Sequence, residues 1–321
     1  MSTTTMPTFA NEFDTFCGKH RGLRVESISA QSNGNPERFT VRFDTFTDAQ
    51  AFVASGVFTS GSARTRWHRH REEYAPDHKG RPHEWVGINP TASEWAKVVA
   101  NPPQPLRDAV EHCMASLDEM PTAFGERPAR RTVRGLEEGD ELDAVRMQQD
   151  CNLDRAWSAR IRRTRMRPVL RVALNAELRG GQGQSALAWR GACALAIARK
   201  AEESGADVGI DWVTIGDGTC SNYDRQLCVF VPLKKVGEFA DRDALVAYCC
   251  HLASFRYFGF NMISALNPDA SMLGWGRPLS LKYVGSEYDI VIDMHDVNCK
   301  ASALRMISKA ADIARAAIES N

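Results

Sequence analysis

The stretch from Pro168 to Gly218 constrains the fold more than any other part of the chain. Val169–Leu174 is a compact apolar run typical of a buried strand, and Val208–Ile215 is a second one. Between them, Ser185 is the predicted cap of a helix, and Gly205 stands where such a helix ends. A strand, a helix and a strand of these lengths predict a parallel crossover. The alternating elements from residue 168 onward therefore predict an α/β fold with a doubly wound, mostly parallel sheet.

Composition and patterning divide the chain into four parts. Residues 1–22 are polar and predict a flexible tail. Residues 23–125 combine alternating apolar and polar runs with helical spacing, which predicts an N-terminal α+β domain. Residues 126–167 predict a charged connector, because the acidic run GLEEGDELD precedes an arginine-dense run. Residues 168–321 then form the predicted α/β domain.

In the N-terminal part, the same patterns predict the ends of individual elements. Leu23–Ile28 and Phe39–Phe43 alternate apolar and polar residues on either side of a turn, which predicts a hairpin. A helix is predicted to follow and to run to Phe58, with Thr47 or Asp48 as its N-cap.

In the C-terminal part, Gln226–Leu233 is close enough to the second α/β strand to predict antiparallel pairing with it. Asp241 or Asp243 is the predicted N-cap of the next helix. That helix is predicted to run to about Phe258, with Gly259 ending it.

The charge balance and the cysteine pattern limit the classes of protein that fit. Lys+Arg and Asp+Glu both total 40 among 321 residues, so no global field attracts nucleic acid or an anionic membrane. The nine cysteines include no C-x-x-C pair, which favours a reducing compartment over a disulfide framework. The longest apolar run, Ala244–Phe255, is interrupted by His251 and is too short to span a bilayer. These features predict a cytoplasmic protein without a membrane segment.

Three runs in the C-terminal half carry a resemblance to a known fold. The first strand RVALNAE, the helix entered at Ser185 and the run DVGIDWVTIGDG together resemble a von Willebrand factor A-like (VWA-like) domain, which is a Rossmann-like fold. The run CVFVPL suits the antiparallel third strand of that fold. The runs EGDELD, RAW and WRGACALA are similar to those of an uncharacterised group of phage and bacterial proteins with a VWA-like core.

The resemblance implies a degenerate metal site. Metal-binding members of the VWA family end the first strand in D-x-S-x-S, which supplies oxygen ligands to Mg²⁺. Here Asn175 replaces the aspartate, and Glu177 stands where a short hydroxyl belongs. Asp293 or Asp296 matches the later aspartate of the family. The resemblance thus implies no cofactor, with Mg²⁺ on these four residues as the alternative, and a scaffold that binds a protein partner.

A nucleotide site is an alternative for the loop after the first strand. The loop contains Gly181, Gly183 and Ser185 in a G-x-G-x-x-A arrangement ahead of a helix, which can hold a pyrophosphate. Asp211 lies at about the distance expected of the acid that binds a ribose. Several polar residues separate this loop from the strand, which favours a plain connector.

A nucleic-acid site is the alternative for the loop of residues 64–85. Arginines, which contact phosphates, alternate there with aromatic and histidine side chains, as single-strand binders require. The residues of this candidate site are Arg64, Arg66, Trp67, His68, Arg69, His70 and Arg71. Zinc on the loop's histidines is a further option, although their spacing matches no standard finger; they are His68, His70, His78 and His83.

The sequence offers no catalytic constellation. It contains no G-x-S-x-G, no H-E-x-x-H and no Walker-type phosphate loop. Cys249, Cys250 and His251 follow one another on a predicted helix, so their side chains diverge, which favours core packing. We therefore expect a non-catalytic protein-binding or assembly scaffold, phage- or prophage-encoded, with nucleic-acid binding and nucleotide-dependent enzyme activity as the two alternatives.

Overall fold

The structure is a computed structural model. It describes eleven ranges of the chain, and the strands and helices given below lie within them. The described residues are 23–28, 37–54, 86–88, 91–118, 131–136, 141–142, 157–161, 168–178, 182–218, 225–266 and 287–319. The candidate loop of residues 64–85, with its arginines and histidines, lies outside these ranges.

Within the described ranges, nine strands form two sheets. In chain order they are β1 (Leu23–Ile28), β2 (Glu37–Phe43), β3 (Arg131–Leu136), β4 (Glu141–Leu142), β5 (Trp157–Ile161), β6 (Val169–Asn175), β7 (Asp207–Gly218), β8 (Arg225–Lys234) and β9 (Ile290–Ile292). Six of them build one sheet in the order β1-β2-β8-β7-β6-β9, and the other three build a sheet in the order β3-β5-β4.

The six-stranded sheet is mixed, with most of its pairings parallel. Strand β6 pairs in parallel with β7 and with β9, and β2 pairs in parallel with β8. The pairs β1–β2 and β7–β8 are antiparallel. The predicted hairpin, the parallel β6–β7 crossover and the antiparallel third strand are therefore confirmed, and the chain has a mixed α/β fold.

Seven α-helices and one short π-helix are described. The α-helices are α1 (Phe46–Ala54), α2 (Ala92–Ala100), α3 (Gln104–Asp118), α4 (Gln184–Glu203), α5 (Arg242–Cys250), α6 (Phe260–Leu266) and α7 (Lys300–Glu319). The π-helix spans Ser254–Gly259 and joins α6 directly.

Two predicted helix starts are wrong by two or three residues. At α1, the hydroxyl of Thr45 accepts the backbone N–H of Asp48 at 3.1 Å, so Thr45 takes the capping role predicted for Thr47 or Asp48. At α4, the N-cap is Gly183 in extended backbone, and it makes no side-chain cap bond. Gly205 does follow the end of α4, with φ of 95°, as predicted.

The helix predicted to run to Phe258 ends earlier, at Cys250. Asp241 is its N-cap, and its carboxylate accepts two backbone N–H groups of the first turn. At its end, the side chain of Gln184 donates to the carbonyl of Cys250 and accepts the N–H of Leu252 at 3.2 Å. This side chain satisfies backbone groups that the break leaves open, which stabilises the interruption.

Gly259 does not end a helix, which corrects the second half of that prediction. It lies at the junction of the π-helix and α6, both of which are continuous in chain order. A Cβ at this position would lie 3.3 Å from the Trp212 ring and 3.3 Å from the Phe255 ring. The glycine is required for close packing against these rings.

The helices pack against one face of the six-stranded sheet. Alternate residues of β6, β7 and β8, such as Val172, Trp212 and Val231, join the main core, and every described α-helix contributes buried residues to it. The intervening residues, such as Ala173 and Phe230, form a separate small cluster on the second face. The described residues place helices against the first face alone, so a doubly wound arrangement stays a prediction.

The predicted domain division also stays a prediction. Strands β1 and β2 come from the predicted N-terminal domain, yet β2 pairs with β8 in the same sheet. The predicted charged connector contains β3, β4 and β5, whose strand pairing the sequence pattern did not indicate.

Candidate functional site

A cluster of polar side chains lies at the carboxyl ends of the neighbouring parallel strands β6 and β9. Asn175 is the last residue of β6, and Asp293 directly follows β9. The Asn175 Nδ2 donates to Asp293 Oδ1 at 2.8 Å. Two of the four residues that the sequence analysis proposed for a metal site are therefore in contact.

Glu177 is turned into the protein next to this pair. Its side chain is 1% exposed, and its Oε1 accepts the hydroxyl of Thr214 at 3.1 Å and the backbone N–H of Ile215. Its own backbone N–H donates to Asn175 Oδ1 at 2.9 Å. Because the β6 and β7 ends are joined through this carboxylate, Glu177 holds the loop that follows β6 against the sheet.

Asp296 completes the group by closing a turn after β9. Its Oδ2 accepts the backbone N–H of Asp293 at 2.9 Å, and Asp293 Oδ1 also accepts the N–H of Met294 at 2.8 Å. Asp296 itself is exposed. These two backbone hydrogen bonds therefore organise the turn that follows β9.

The cation of this cluster is Arg190, which no sequence motif had indicated. Its side chain is 0% exposed and projects from α4. The guanidinium donates to the carbonyls of Asn175 at 2.9 Å, Glu177 at 2.6 Å and Met294 at 2.8 Å. A single buried guanidinium therefore links α4 to both strand ends.

Arg190 keeps its positive charge despite its burial. Burial lowers the pKa of Arg190 to about 10, whereas the carboxylates of Asp293, Glu177 and Asp296 favour its charged form. A pKa of about 10 leaves the group protonated at neutral pH. The acidic side chains of the cluster are thus compensated by a charge that belongs to the protein, and we call this group of five residues the Arg190 cluster.

The donor set of the Arg190 cluster fits a divalent cation poorly. Mg²⁺ needs several oxygen ligands in near-octahedral geometry. Here both polar atoms of Asn175 and one oxygen of each carboxylate already take part in protein hydrogen bonds. Within the described ranges, no three His, Cys, Asp or Glu side chains are placed to hold a metal ion. Magnesium binding by Asn175, Glu177, Asp293 and Asp296 stays a prediction.

The nucleotide candidates lie in different places. Gly183 and the exposed Ser185 are at the start of α4, and Gly181 lies outside the described residues. Asp211 lies in β7 opposite Ala173, and its carboxylate accepts the Tyr288 hydroxyl at 2.6 Å. That contact is on the second face of the sheet, and no described contact joins Asp211 to the start of α4.

The predicted packing role of the Cys249-Cys250-His251 run is confirmed. All three side chains are buried, and both cysteines belong to the main core. Burial raises the pKa of the Cys249 thiol and lowers the pKa of His251 to about 4. Neither change favours a thiolate–imidazolium pair, so these residues stabilise the core.

These features define a mixed α/β protein with a polar cluster at the carboxyl ends of parallel strands. A buried arginine supplies the positive charge of that cluster. Residues 150–315 match the family model described as "Domain of unknown function (DUF7192)", which is more than half of the 321 residues. The chain therefore belongs to this DUF7192 family. No curated protein and no solved structure matches it. None of the described helices has the length and apolar character needed to cross a membrane.

Proposed function

We propose that the protein is a non-catalytic protein-binding or assembly scaffold built on a degenerate VWA-like domain. The observation that carries this proposal is the Arg190 cluster. In a metal-dependent site the strand-end carboxylates face an open position, where the ion meets its ligand. Here backbone N–H groups donate to the aspartates, and the buried charge of Arg190 compensates the carboxylates. The proposal extends to a cytoplasmic location and to a phage or prophage origin.

An exposed turn supports a role in protein contacts. The carbonyl of Lys235 accepts the N–H of Glu238 at 3.2 Å, and Gly237 adopts a φ of 78°, so the chain turns tightly after β8. Phe239 follows this turn with its side chain fully exposed. A protruding aromatic residue is the kind of side chain that dominates protein interfaces.

The experiment starts from the full chain, tagged and crosslinked in its native host. A crosslinked protein is then purified and titrated with the chain, once in EDTA and once in excess Mg²⁺. The scaffold proposal predicts a stoichiometric complex with the same affinity in both buffers. A complex that forms in Mg²⁺ and disappears in EDTA would contradict it, as would the absence of any stoichiometric complex.

A substitution on the turn tests which surface carries the contact. Phe239→Ala is expected to weaken the complex by about ten-fold or more, since a buried aromatic anchor contributes roughly 2 kcal/mol or more to binding. Lys309→Ala, on an exposed position of α7, is the matched control and leaves affinity unchanged. Equal affinities for both variants would exclude the turn as the contact surface.

A further inference from the structure

A second polar site lies on the second face of the six-stranded sheet, where the small cluster around Phe230 packs. A cavity of about 310 Å³ opens there. That volume is in the range of small-molecule sites. Its lining combines charged and aromatic side chains, and the ones that matter below are Arg42, Arg171, Asp211, Phe230, Glu287 and Tyr288.

One wall of the cavity is a fixed arrangement of rings and charges. Phe230 and Tyr288 stack with centroids 5.9 Å apart and planes within 7°. The guanidinium of Arg42 lies 4.1 Å from the centre of the Phe230 ring and forms an ion pair with Glu287. Arg42 also donates to the Tyr288 hydroxyl at 3.2 Å. These contacts hold the wall in one geometry before any ligand arrives.

Asp211 supplies the cavity with a hydrogen-bond acceptor. Its Oδ2 accepts the Tyr288 hydroxyl at 2.6 Å, whereas its Oδ1 receives no hydrogen bond from the described part of the chain. Burial raises the pKa of Asp211, and the bond from Tyr288 opposes that rise. A carboxylate with one engaged oxygen and one remaining oxygen can accept a donor from a bound molecule.

One end of the cavity is lined by Gly209 and by two cationic side chains. The parallel register places Gly209 opposite Arg171, and a Cβ on Gly209 would come within 3.1 Å of Val236 Cγ2. Arg171 and Lys235 both line the cavity, and both are exposed. Two neighbouring cations favour a negatively charged group at this end of the cavity.

We propose that this cavity binds a small organic anion that carries a carboxylate or phosphate group together with a hydrogen-bond donor. The anionic group lies between Arg171 and Lys235, and the donor reaches Asp211 Oδ1. The apolar part of the molecule rests on Pro232 and Val236, which also line the cavity. This site does not depend on the scaffold role proposed above, and its ligand reaches the sheet from the face opposite the helices.

Four small probes test the proposal on the full chain by following the backbone amides of Gly209 and Val236 in ¹H–¹⁵N spectra. The probes are 3-aminobenzoate, benzoate, 3-aminobenzamide and phenyl phosphate. We expect saturable shifts with 3-aminobenzoate, and weaker binding by benzoate, which lacks the donor, and by 3-aminobenzamide, which lacks the charge. Comparing phenyl phosphate with benzoate then distinguishes a phosphate ligand from a carboxylate.

Two variants connect the binding to the residues. Arg171→Gln removes one cation and is expected to weaken 3-aminobenzoate by about ten-fold or more, the effect of one charged hydrogen bond. Gly209→Ala places a Cβ against Val236, which lines the cavity, and the displaced valine is expected to weaken every anionic probe. Arg305→Gln, an exposed arginine on α7, is the control and leaves binding unchanged.

The variants are compared only after their melting temperatures have been measured, because a folding defect would also lower binding. The proposal is overturned if none of the anionic probes shifts the two amides. It is equally overturned if 3-aminobenzamide binds as tightly as 3-aminobenzoate, or if a folded Arg171→Gln variant binds like the wild type.

Discussion

Replacing Arg190 by methionine tests how much the Arg190 cluster contributes to stability. Methionine is shorter than arginine but keeps an apolar stem, and it removes every hydrogen bond of the guanidinium. Three backbone carbonyls, those of Asn175, Glu177 and Met294, then lose their donor. Each lost bond costs about 1 kcal/mol, so the bonds alone contribute about 3 kcal/mol.

The loss of the positive charge sets the upper end of the expected loss of stability. Removing one partner from a buried ion group typically costs about 3–5 kcal/mol, because the remaining charges are left uncompensated. Asp296 is exposed and Asp293 is half-buried, so water screens much of their charge. We therefore expect Arg190→Met to lower the free energy of unfolding by about 3 kcal/mol, the lower end of that range.

Urea denaturation followed by circular dichroism measures this difference. Arg190→Lys keeps the charge but cannot reach all three carbonyls at once, so its loss is expected to be smaller. Arg305→Met, on an exposed position of α7, should stay within about 0.5 kcal/mol of the wild type. A loss below about 1 kcal/mol for Arg190→Met would refute the reasoning, because the three hydrogen bonds would then contribute almost nothing.

Two further predictions concern the core. Gly191→Ala places a Cβ against the α5 backbone, 2.6 Å from the carbonyl oxygen of Cys249, so unfolding in urea should show a loss of about 1–3 kcal/mol or more. Gly183→Ala, where a Cβ meets nothing within 4 Å, is its control, and equal losses would contradict the packing argument. Burial lowers the pKa of His251 to about 4 from 6.5. Between these values only the unfolded chain binds the proton, so stability should fall as pH falls, by up to about 3 kcal/mol. In urea titrations at several pH values His251→Asn should reduce this slope, and an unchanged slope would contradict the burial argument.

The β6–α4–β7 unit was predictable because several local signals agree there. The apolar runs of β6 and β7 bury one face completely, and Gly205 takes the positive φ that ends α4. The antiparallel β8 was predictable from the short connection that precedes it. The sequence pattern therefore determined the centre of the sheet, where local preference and tertiary packing coincide.

The break after α5 was not predictable, because its cause lies far away in the sequence. The helical spacing continues past Cys250, but Gln184 from the start of α4 satisfies the groups at the break. Gly259 resembled a helix terminator, whereas its lack of a side chain serves the contact with Trp212. Sequence patterns assign such a glycine a local role, since they contain no information on which ring packs against it.

The Arg190 cluster was half predictable. The resemblance assigned Asn175 and either Asp293 or Asp296 to one degenerate metal site, and a 2.8 Å hydrogen bond joins Asn175 to Asp293. The sequence did not predict the role of Arg190, because an arginine is normally expected at the surface. One sequence feature could have indicated that Arg190 is buried: it lies within the small-residue run WRGACALA. Its neighbours Gly191 and Ala192 are buried.

The melting temperature of the purified wild-type chain in EDTA and in excess Mg²⁺ tests the central claim most directly. A ligand that binds the folded state at about 100 times its dissociation constant stabilises it by about 2.7 kcal/mol, which a thermal scan detects readily. If Arg190 supplies the positive charge of the cluster, the two melting temperatures should coincide. A higher melting temperature in Mg²⁺ that is lost in an Asp293→Asn variant would show that the cluster holds a metal ion and would contradict the account.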